Sequence, residues 1–259
     1  MIPKRRINLE ISYTMLHTIM ECEYMYYLRY VKRVVLKETS PSLYGTAIHR
    51  AIKNGYDGNL AREDWAKAFK REWMSLTSNK DVVLNGEGEY LKKFKDGQQM
   101  LLDYYDKFVK RHKPPQSTEL FFGRDQGITL GKHVLIGVID QIDSKDRIID
   151  YKSGAKPTSQ RLDMDLQFTI YSYVYRQMFG KPEGALLLRH LGTMKDMSTT
   201  REESDYALLL GEVDKIEAKL SVKNPVYVRN LDRGCADCYF IEQCLGKERR
   251  IGRFAYSSK

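Results

Sequence analysis

No stretch of these 259 residues comes near the roughly 20 consecutive apolar residues that a membrane-spanning helix needs. That argues against a helical membrane protein. The opening Met1-Ile2-Pro3-Lys4-Arg5-Arg6 leads into a polar amphipathic segment and does not read as a signal peptide. Cysteine is scarce, with four in the chain. Without an export signal such residues point to a reducing compartment, where thiols bind metal or stay free more often than they pair. A cytoplasmic placement is the expectation. The chain also lacks internal repeats, low-complexity tracts and any Gly/Ser-rich linker that would divide it. It has no GxxxxGK[ST] loop, so any ATP-driven unwinding has to come from a partner.

What is present describes a folded, water-facing protein: 42% hydrophobic and 30% charged residues, with too many aliphatic and aromatic side chains for a disordered chain. Length allows one large domain or two small ones, and a single domain over residues 1–259 is the simpler expectation. Lys plus Arg number 43 against 34 Asp plus Glu, a net charge of +9. The surplus favours a polyanionic partner, because each neutralised phosphate releases condensed counterions. A solvated basic surface is the equal alternative. Lys4-Arg5-Arg6 and Lys247-Glu248-Arg249-Arg250 read either as a path for a nucleic-acid backbone or as solvated tails.

Periodicity places helices over 11 to about 35, from just after Pro41, over 60–75 and over 87–112, where Pro114-Pro115 ends the pattern. From Glu119 the texture turns β-rich. Leu120-Phe121-Phe122, His133 to Ile142 and Arg147 to Lys152 read as paired strands. Helix returns over 161–179, a strand over Ala185 to Leu191, and a helix over 201–222 before Pro225. The expected order is helices, β-meander, helix, strand, helix: an α/β domain that is mainly helical over 12–115, with its sheet core over 116–200.

Two β-rich runs each contain a carboxylate, Gly137-Val138-Ile139-Asp140 and Ile148-Ile149-Asp150-Tyr151-Lys152. Phosphodiester hydrolysis needs hard oxygen ligands for Mg2+ or Mn2+, which polarise the phosphate and make hydroxide available at neutral pH. Asp140 and Asp150 are candidates for those ligands. Residues two apart in a strand share a face, so Lys152 places an ammonium beside Asp150, where it would orient the attacking water and stabilise developing charge. Taken alone, these aspartates read as ordinary strand-end or turn residues. Tyr44-Gly45-Thr46-Ala47-Ile48-His49 adds an imidazole on a helix, a reasonable further metal ligand, although a lone histidine is more often structural. Gln167 and Tyr171 lie four apart on one helical face and can bond a phosphate or an active-site side chain; singly, one reads as surface and the other as core.

Cys22 stands in the first helical segment, while Cys235, Cys238 and Cys244 form a C-x2-C-x5-C arrangement near the other end. Four thiolates suit a tetrahedral Zn2+ or a [4Fe–4S] cluster, and spacing does not choose between them.

As an ordered set, Gly45-x3-His49, Gly137-x2-Asp140, Asp150-x-Lys152 and Gln167-x3-Tyr171 resemble the RecB-type branch of the PD-(D/E)XK nuclease superfamily. The resemblance spans about residues 12–245, with 55–115 matching no nameable part of it. It implies a restriction-endonuclease-like core, a central mixed sheet flanked by helices, with a helical N-terminal insertion. It implies His49, Asp140, Asp150 and the backbone carbonyl of Tyr151 as ligands of Mg2+ or Mn2+, with Asp140, Asp150 and Lys152 as the catalytic set. Glu119 opens the first β-rich run and is a weaker candidate for a further carboxylate. The family pattern often carries glutamate where Asp150 stands, and the shorter side chain alters the reach to a metal. One N-terminal cysteine bracketing the nuclease motifs with a C-terminal C-x2-C-x5-C is similar to the iron–sulfur nucleases, the helicase-associated AddB type and the CRISPR-associated RecB-like type. Ser12-Tyr13-x-x-Leu16-x5-Cys22-x4-Tyr27-x2-Tyr30 is similar to the helix that delivers the first cysteine there. The implied cofactor is a structural [4Fe–4S] cluster on Cys22, Cys235, Cys238 and Cys244, with residues 225–250 packed on the first helix.

The function expected from these features is a metal-dependent DNA exonuclease acting on single strands or ends, in recombination or repair or in CRISPR adaptation. Its partners would be DNA and a helicase, a recombinase or a CRISPR integrase. A non-catalytic nucleic-acid-binding protein with an architectural metal cluster is the rival from another class, and a zinc-stabilised RNA-binding or RNA-cleaving protein is a third reading.

Overall fold

A computed structural model of the chain describes residues 8–36, 38–78, 82–83, 86–231, 235 and 238–246. The basic runs Lys4-Arg5-Arg6 and Lys247-Glu248-Arg249-Arg250 lie outside the described residues. The chain divides into two compact units, Lys37–Leu209 and a second made of Met1–Leu36 with Leu210–Lys259. Among the described residues no helix is long and apolar enough to cross a membrane.

The larger unit is a mixed α/β structure. Helix α1 (Ser40–Asp57) starts with Pro41 in its first turn, where the fixed φ suits a helix and the missing N–H costs nothing. Its buried residues Leu43, Tyr44, Ala47, Ile48, Ala51 and Ile52 recur at three- and four-residue spacing. Helix α2 (Arg62–Thr77) buries Trp65, Ala68, Phe69 and Trp73 by the same rule, and α3 (Glu87–Tyr104) buries Leu101 and Tyr104. Gly97 lets α3 close on α2, since a Cβ there would stand 2.1 Å from the Phe69 ring. These helices share one apolar cluster with Ile149, Tyr151 and Leu187 of the sheet.

The sheet consists of β1 (Ser117–Phe122), β2 (Gly137–Ile142), β3 (Arg147–Lys152), β4 (Ala185–His190) and β5 (Lys195–Thr199), in the spatial order β5-β4-β3-β2-β1. Neighbours are antiparallel except β3 and β4, which run parallel with Asp150 opposite Leu188 and Lys152 opposite His190. Helix α4 (Leu166–Phe179) connects those two, as a parallel pair requires a crossover. Ile149 and Tyr151 face α1–α3, so alternation along β3 turns Ile148, Asp150 and Lys152 to the other side, where α4 lies. The expected central mixed sheet flanked by helices is present.

Four local readings change. Residues 11–35 are not one helix: Tyr13–Glu21 ends where Cys22 is extended (φ −159°, ψ 114°), and Glu23–Tyr26 and a π-turn over Tyr27–Val31 follow. The run 133–142 breaks at Ile136 into His133–Leu135 and β2, and Gly137 meets the Phe122 ring where a Cβ would stand 2.5 Å away. The segment 161–179 splits because Asp165 caps α4, its side chain accepting from Gln167 N at 2.8 Å. Buried Arg201 takes up the carbonyls of the break, donating to Leu162 and Asp165 at 3.1 and 2.9 Å. Strand β5 went unread because it is a mostly exposed edge strand without hydrophobic alternation.

The β2–β3 turn is built around buried Asp143, whose Oδ1 accepts from the N–H groups of Lys145 and Arg147 at 2.9 and 3.0 Å, while Oδ2 accepts from Arg147 Nε at 2.7 Å. Burial disfavours the charge, but Arg147 and the two amides outweigh it and hold the carboxyl below its ordinary range. A depressed folded-state value means stability that is present above the unfolded carboxylate pKa of about 3.9 and lost as pH falls through the folded value. Asp143→Ala should therefore cost about 2–3 kcal/mol in urea unfolding at pH 7, with the gap from wild type narrowing below about pH 4. A gap that stayed constant down to pH 3 would contradict this account of the turn.

Candidate active site

The ladder between β2 and β3 is formed at Gln141↔Ile149 and Ile142↔Ile148, next to the turn. Beyond it the side chain of Asp140 takes the place of a backbone acceptor: Asp140 Oδ2 accepts from Tyr151 N at 2.9 Å. The other oxygen, Oδ1, lies 3.3 Å from His49 Nδ1, and His49 Nε2 lies 3.2 Å from the Tyr151 carbonyl. His49 reaches this point from α1, where Tyr44 and Ile48 anchor the helix in the core. Gly45, one turn earlier, sits against Ser153, just past the end of β3. The histidine, the first aspartate and the Tyr151 backbone thus close into a ring of contacts.

Asp150 is 1% exposed and follows Ile148 on the α4 side of β3. Its Oδ2 lies 2.8 Å from Lys152 Nζ, close enough for an ion pair, yet without hydrogen-bond geometry, so among the described residues this buried oxygen has no hydrogen-bond partner. Lys152 Nζ donates to Gln167 Oε1 at 2.9 Å, and Gln167 Nε2 donates to Tyr171 OH at 2.8 Å. The Gln167/Tyr171 pair from α4 therefore holds the ammonium. His190, opposite Lys152 in β4, is 7% exposed, with Nδ1 2.9 Å from Thr193 Oγ1 and Nε2 2.8 Å from the Gly154 carbonyl. It supports the loop after Lys152, and sequence reading missed it because one histidine ending an apolar strand carries no motif.

Electrostatics couple these groups. Burial and then the charge of Asp140 push the Asp150 carboxyl up to about 6, against the pull of Lys152 and His49. Burial works against charged His49, but Asp140 and then Asp150 prevail and raise its pKa. Lys152 is likewise raised, burial being outweighed by Asp150 and Asp140. Glu119 stands across from Asp140, between the pairs Thr118↔Gln141 and Leu120↔Ile139, and lines a small cleft with His49, Lys53 and Asp140. Its φ of +51° is uncommon for a glutamate, a local strain of the kind that clusters at functional sites.

Asp140 and His49 are in contact, while among the described residues no three of the His49, Asp140, Asp150 and Glu119 side chains bring ligand atoms within 4.8 Å of one another. With the Tyr151 carbonyl they are hard donors of the kind that suit Mg2+ or Mn2+. The buried Asp150 oxygen, with the Lys152 ammonium as its one neighbour in ion-pair reach and no well-formed hydrogen bond among the described residues, is the feature a cation would complete.

In the smaller unit all four cysteines line one cavity of about 380 Å3, together with Met20, Leu28 and Phe240. The extended conformation of Cys22 sets it against the later segment. Tyr24 N donates to Val228 O at 3.0 Å, Val228 N to Glu23 Oε2 at 2.8 Å, and Asn230 Nδ2 to Glu21 O at 3.0 Å. Burial and then the neighbouring thiols raise the Cys238 thiol, while Cys244 is raised by burial against the pull of Arg229.

Residues 10–245 match the family model described as the PD-(D/E)XK nuclease superfamily. The fold is similar to that of a crystal structure named as a "putative exonuclease" from Eubacterium rectale, with a TM-score of 0.61 at 13% identity, covering 88% of this chain and 87% of that one. No curated protein matches the chain.

The raised Asp150 value has a signed consequence for stability. A carboxyl whose folded pKa exceeds its unfolded one favours the fold below about pH 4 and loses that contribution as pH rises toward 6. In EDTA, Asp150→Asn should gain on wild type, by on the order of 2 kcal/mol, between pH 4 and pH 7.5. Parallel unfolding curves at the two pH values check this, and an unchanged difference would contradict the buried-charge account.

Proposed function

The chain belongs to the PD-(D/E)XK nuclease superfamily, and from that premise we propose that it is a Mg2+- or Mn2+-dependent deoxyribonuclease working as an exonuclease on single-stranded DNA or DNA ends. The observation that carries the reading is the buried Asp150 carboxylate, with the Lys152 ammonium 2.8 Å from it, next to the ring made by His49, Asp140 and the Tyr151 backbone. In this proposal His49, Asp140, Asp150 and the Tyr151 carbonyl hold the cation, with Glu119 as a further carboxylate at the cleft. When bound, the cation supplies Lewis-acid polarisation of the phosphodiester and a lower pKa for the attacking water.

The protein's own groups do the rest. Asp140 holds Tyr151 N–H and faces His49, which fixes the carbonyl and imidazole that must converge. Lys152, steered by Gln167 and Tyr171, orients the attacking water and stabilises charge developing on the phosphate oxygens. Asp150 opposes the burial that works against the charge of that lysine.

For the cysteine cavity the proposal is a structural [4Fe–4S] cluster on Cys22, Cys235, Cys238 and Cys244. The support for a metal group there is that all four cysteines line one cavity, and the choice of a cluster over zinc rests on the family resemblance. The proposed organisation is one nuclease domain over residues 1–259 with a cluster-binding C-terminal segment, placed in the cytoplasm. It would work in recombination, repair or CRISPR adaptation beside a helicase, recombinase or integrase.

End-labelled single- and double-stranded DNA tests the reading. Wild type should cut with Mn2+ or Mg2+ and stop in EDTA, and Lys152→Ala should lose at least about 100-fold in rate while still binding DNA. Full activity in Lys152→Ala, or cutting in EDTA, would defeat the assignment. Anaerobically purified protein should carry about four irons per chain and lose them in Cys238→Ser; one zinc and no iron would overturn the cluster.

A further inference from the structure

The β2–β3 turn and the segment after α3 enclose a second cavity in the larger unit, of about 330 Å3, at the small end of ligand-sized pockets. The turn residues are at the opposite end of β2 and β3 from Lys152, so this cavity is separate from the candidate active site. Its floor is buried: Gln141 and Arg189 are each 4% exposed and Phe108 is 8% exposed. Its rim carries the exposed cations Arg111, Lys113 and Lys145. Tyr56 and His112 add aromatic surface to the walls.

The charges are arranged for an anion. Asp143 is committed to Arg147 and to the turn amides, so its negative charge is neutralised in place. Arg189 directs Nε and Nη2 to Asp196, each at 2.8 Å, and stacks with its guanidinium carbon 3.6 Å from the Phe108 ring centre. The buried pair anchors a rigid floor, while Arg111, Lys113 and Lys145 stand above it without an ion pair among the described residues. Gln141 Oε1 accepts from the Tyr104 and Tyr151 hydroxyls, which fixes its side chain in the floor. A phosphate meets the rim cations, and a flat ring meets Tyr56 and His112 on the walls, the combination of backbone charge and stacking that single-stranded nucleic acid uses.

We propose that this cavity binds one nucleotide unit through its phosphate, either a free mononucleotide or a unit within a DNA strand. The choice of a nucleotide among anions rests on the nuclease reading; the cavity and its charges do not. Tyr151 joins the two places, because its hydroxyl donates to Gln141 at the cavity floor while its N–H and carbonyl meet Asp140 and His49.

Titration calorimetry of the full chain in EDTA, with 5′-dTMP, thymidine, inorganic phosphate and a twelve-residue oligo(dT), tests the proposal. 5′-dTMP or the oligonucleotide should bind more tightly than thymidine or phosphate alone. The double variant Arg111→Glu/Lys145→Glu, checked by circular dichroism for an intact fold, should weaken that binding at least about tenfold. Weakening of 5′-dTMP identifies a free mononucleotide as occupant; weakening of the oligonucleotide alone, with a shallower salt dependence, identifies a strand phosphate. Binding of 5′-dTMP in EDTA and cutting with Mn2+ are read in separate assays, so failure of this proposal and failure of the nuclease reading are distinguishable. Equal affinities in wild type and the double variant for both ligands, or thymidine binding as tightly as 5′-dTMP, would overturn the proposal.

Discussion

The candidate active site depends on one hydrogen bond that a sheet would ordinarily make with backbone alone. Beside the turn, β2 and β3 pair normally; farther along, the Asp140 carboxylate accepts the Tyr151 N–H. That substitution satisfies a buried backbone donor with a charged acceptor, which is stronger than a neutral one. It also fixes where the remaining oxygen of Asp140 points, toward His49, and where the Tyr151 carbonyl stands. The tight turn around Asp143 makes this possible by holding the two strands together at the other end.

From that arrangement follows an unbalanced concentration of buried charge. Asp140 and Asp150 raise the pKa of His49, burial and Asp140 raise that of Asp150, and Lys152 answers only part of the negative charge. Buried charge without full compensation is costly and is retained where function needs it. Glu119 adds a third carboxylate across the cleft in a strained backbone conformation. A polyanionic phosphodiester enters such a site only with a cation present, which is why the same residues that burden the metal-free fold suit a metal-dependent nuclease.

Much of this was legible in the sequence because it rests on local period. Asp150 and Lys152 share a strand face, and Gln167 and Tyr171 share a helix face, so spacing forecast the two pairs, while the Lys152–Gln167 bond that joins them comes from tertiary packing. His49 and Asp140 were legible only as members of an ordered set, since α1 and β2 meet through tertiary packing. Other features lay beyond periodicity. Cys22 interrupts a helical pattern because its extended backbone meets residues more than 200 positions away. Arg201 caps the break before α4 from 36 positions downstream of Asp165. The left-handed conformation of Glu119 and the role of His190 behind Lys152 depend on neighbours that no spacing rule names.

The central claim is that His49, Asp140, Asp150 and the Tyr151 carbonyl form one cation site distinct from the lysine that acts beside it. Mn2+ titration followed by electron paramagnetic resonance, on wild type, Asp140→Ala and Lys152→Ala, reads that claim without cleavage. The account predicts saturable Mn2+ binding in wild type and in Lys152→Ala, weakened at least about tenfold in Asp140→Ala. Equal Mn2+ affinity in Asp140→Ala and wild type would contradict it.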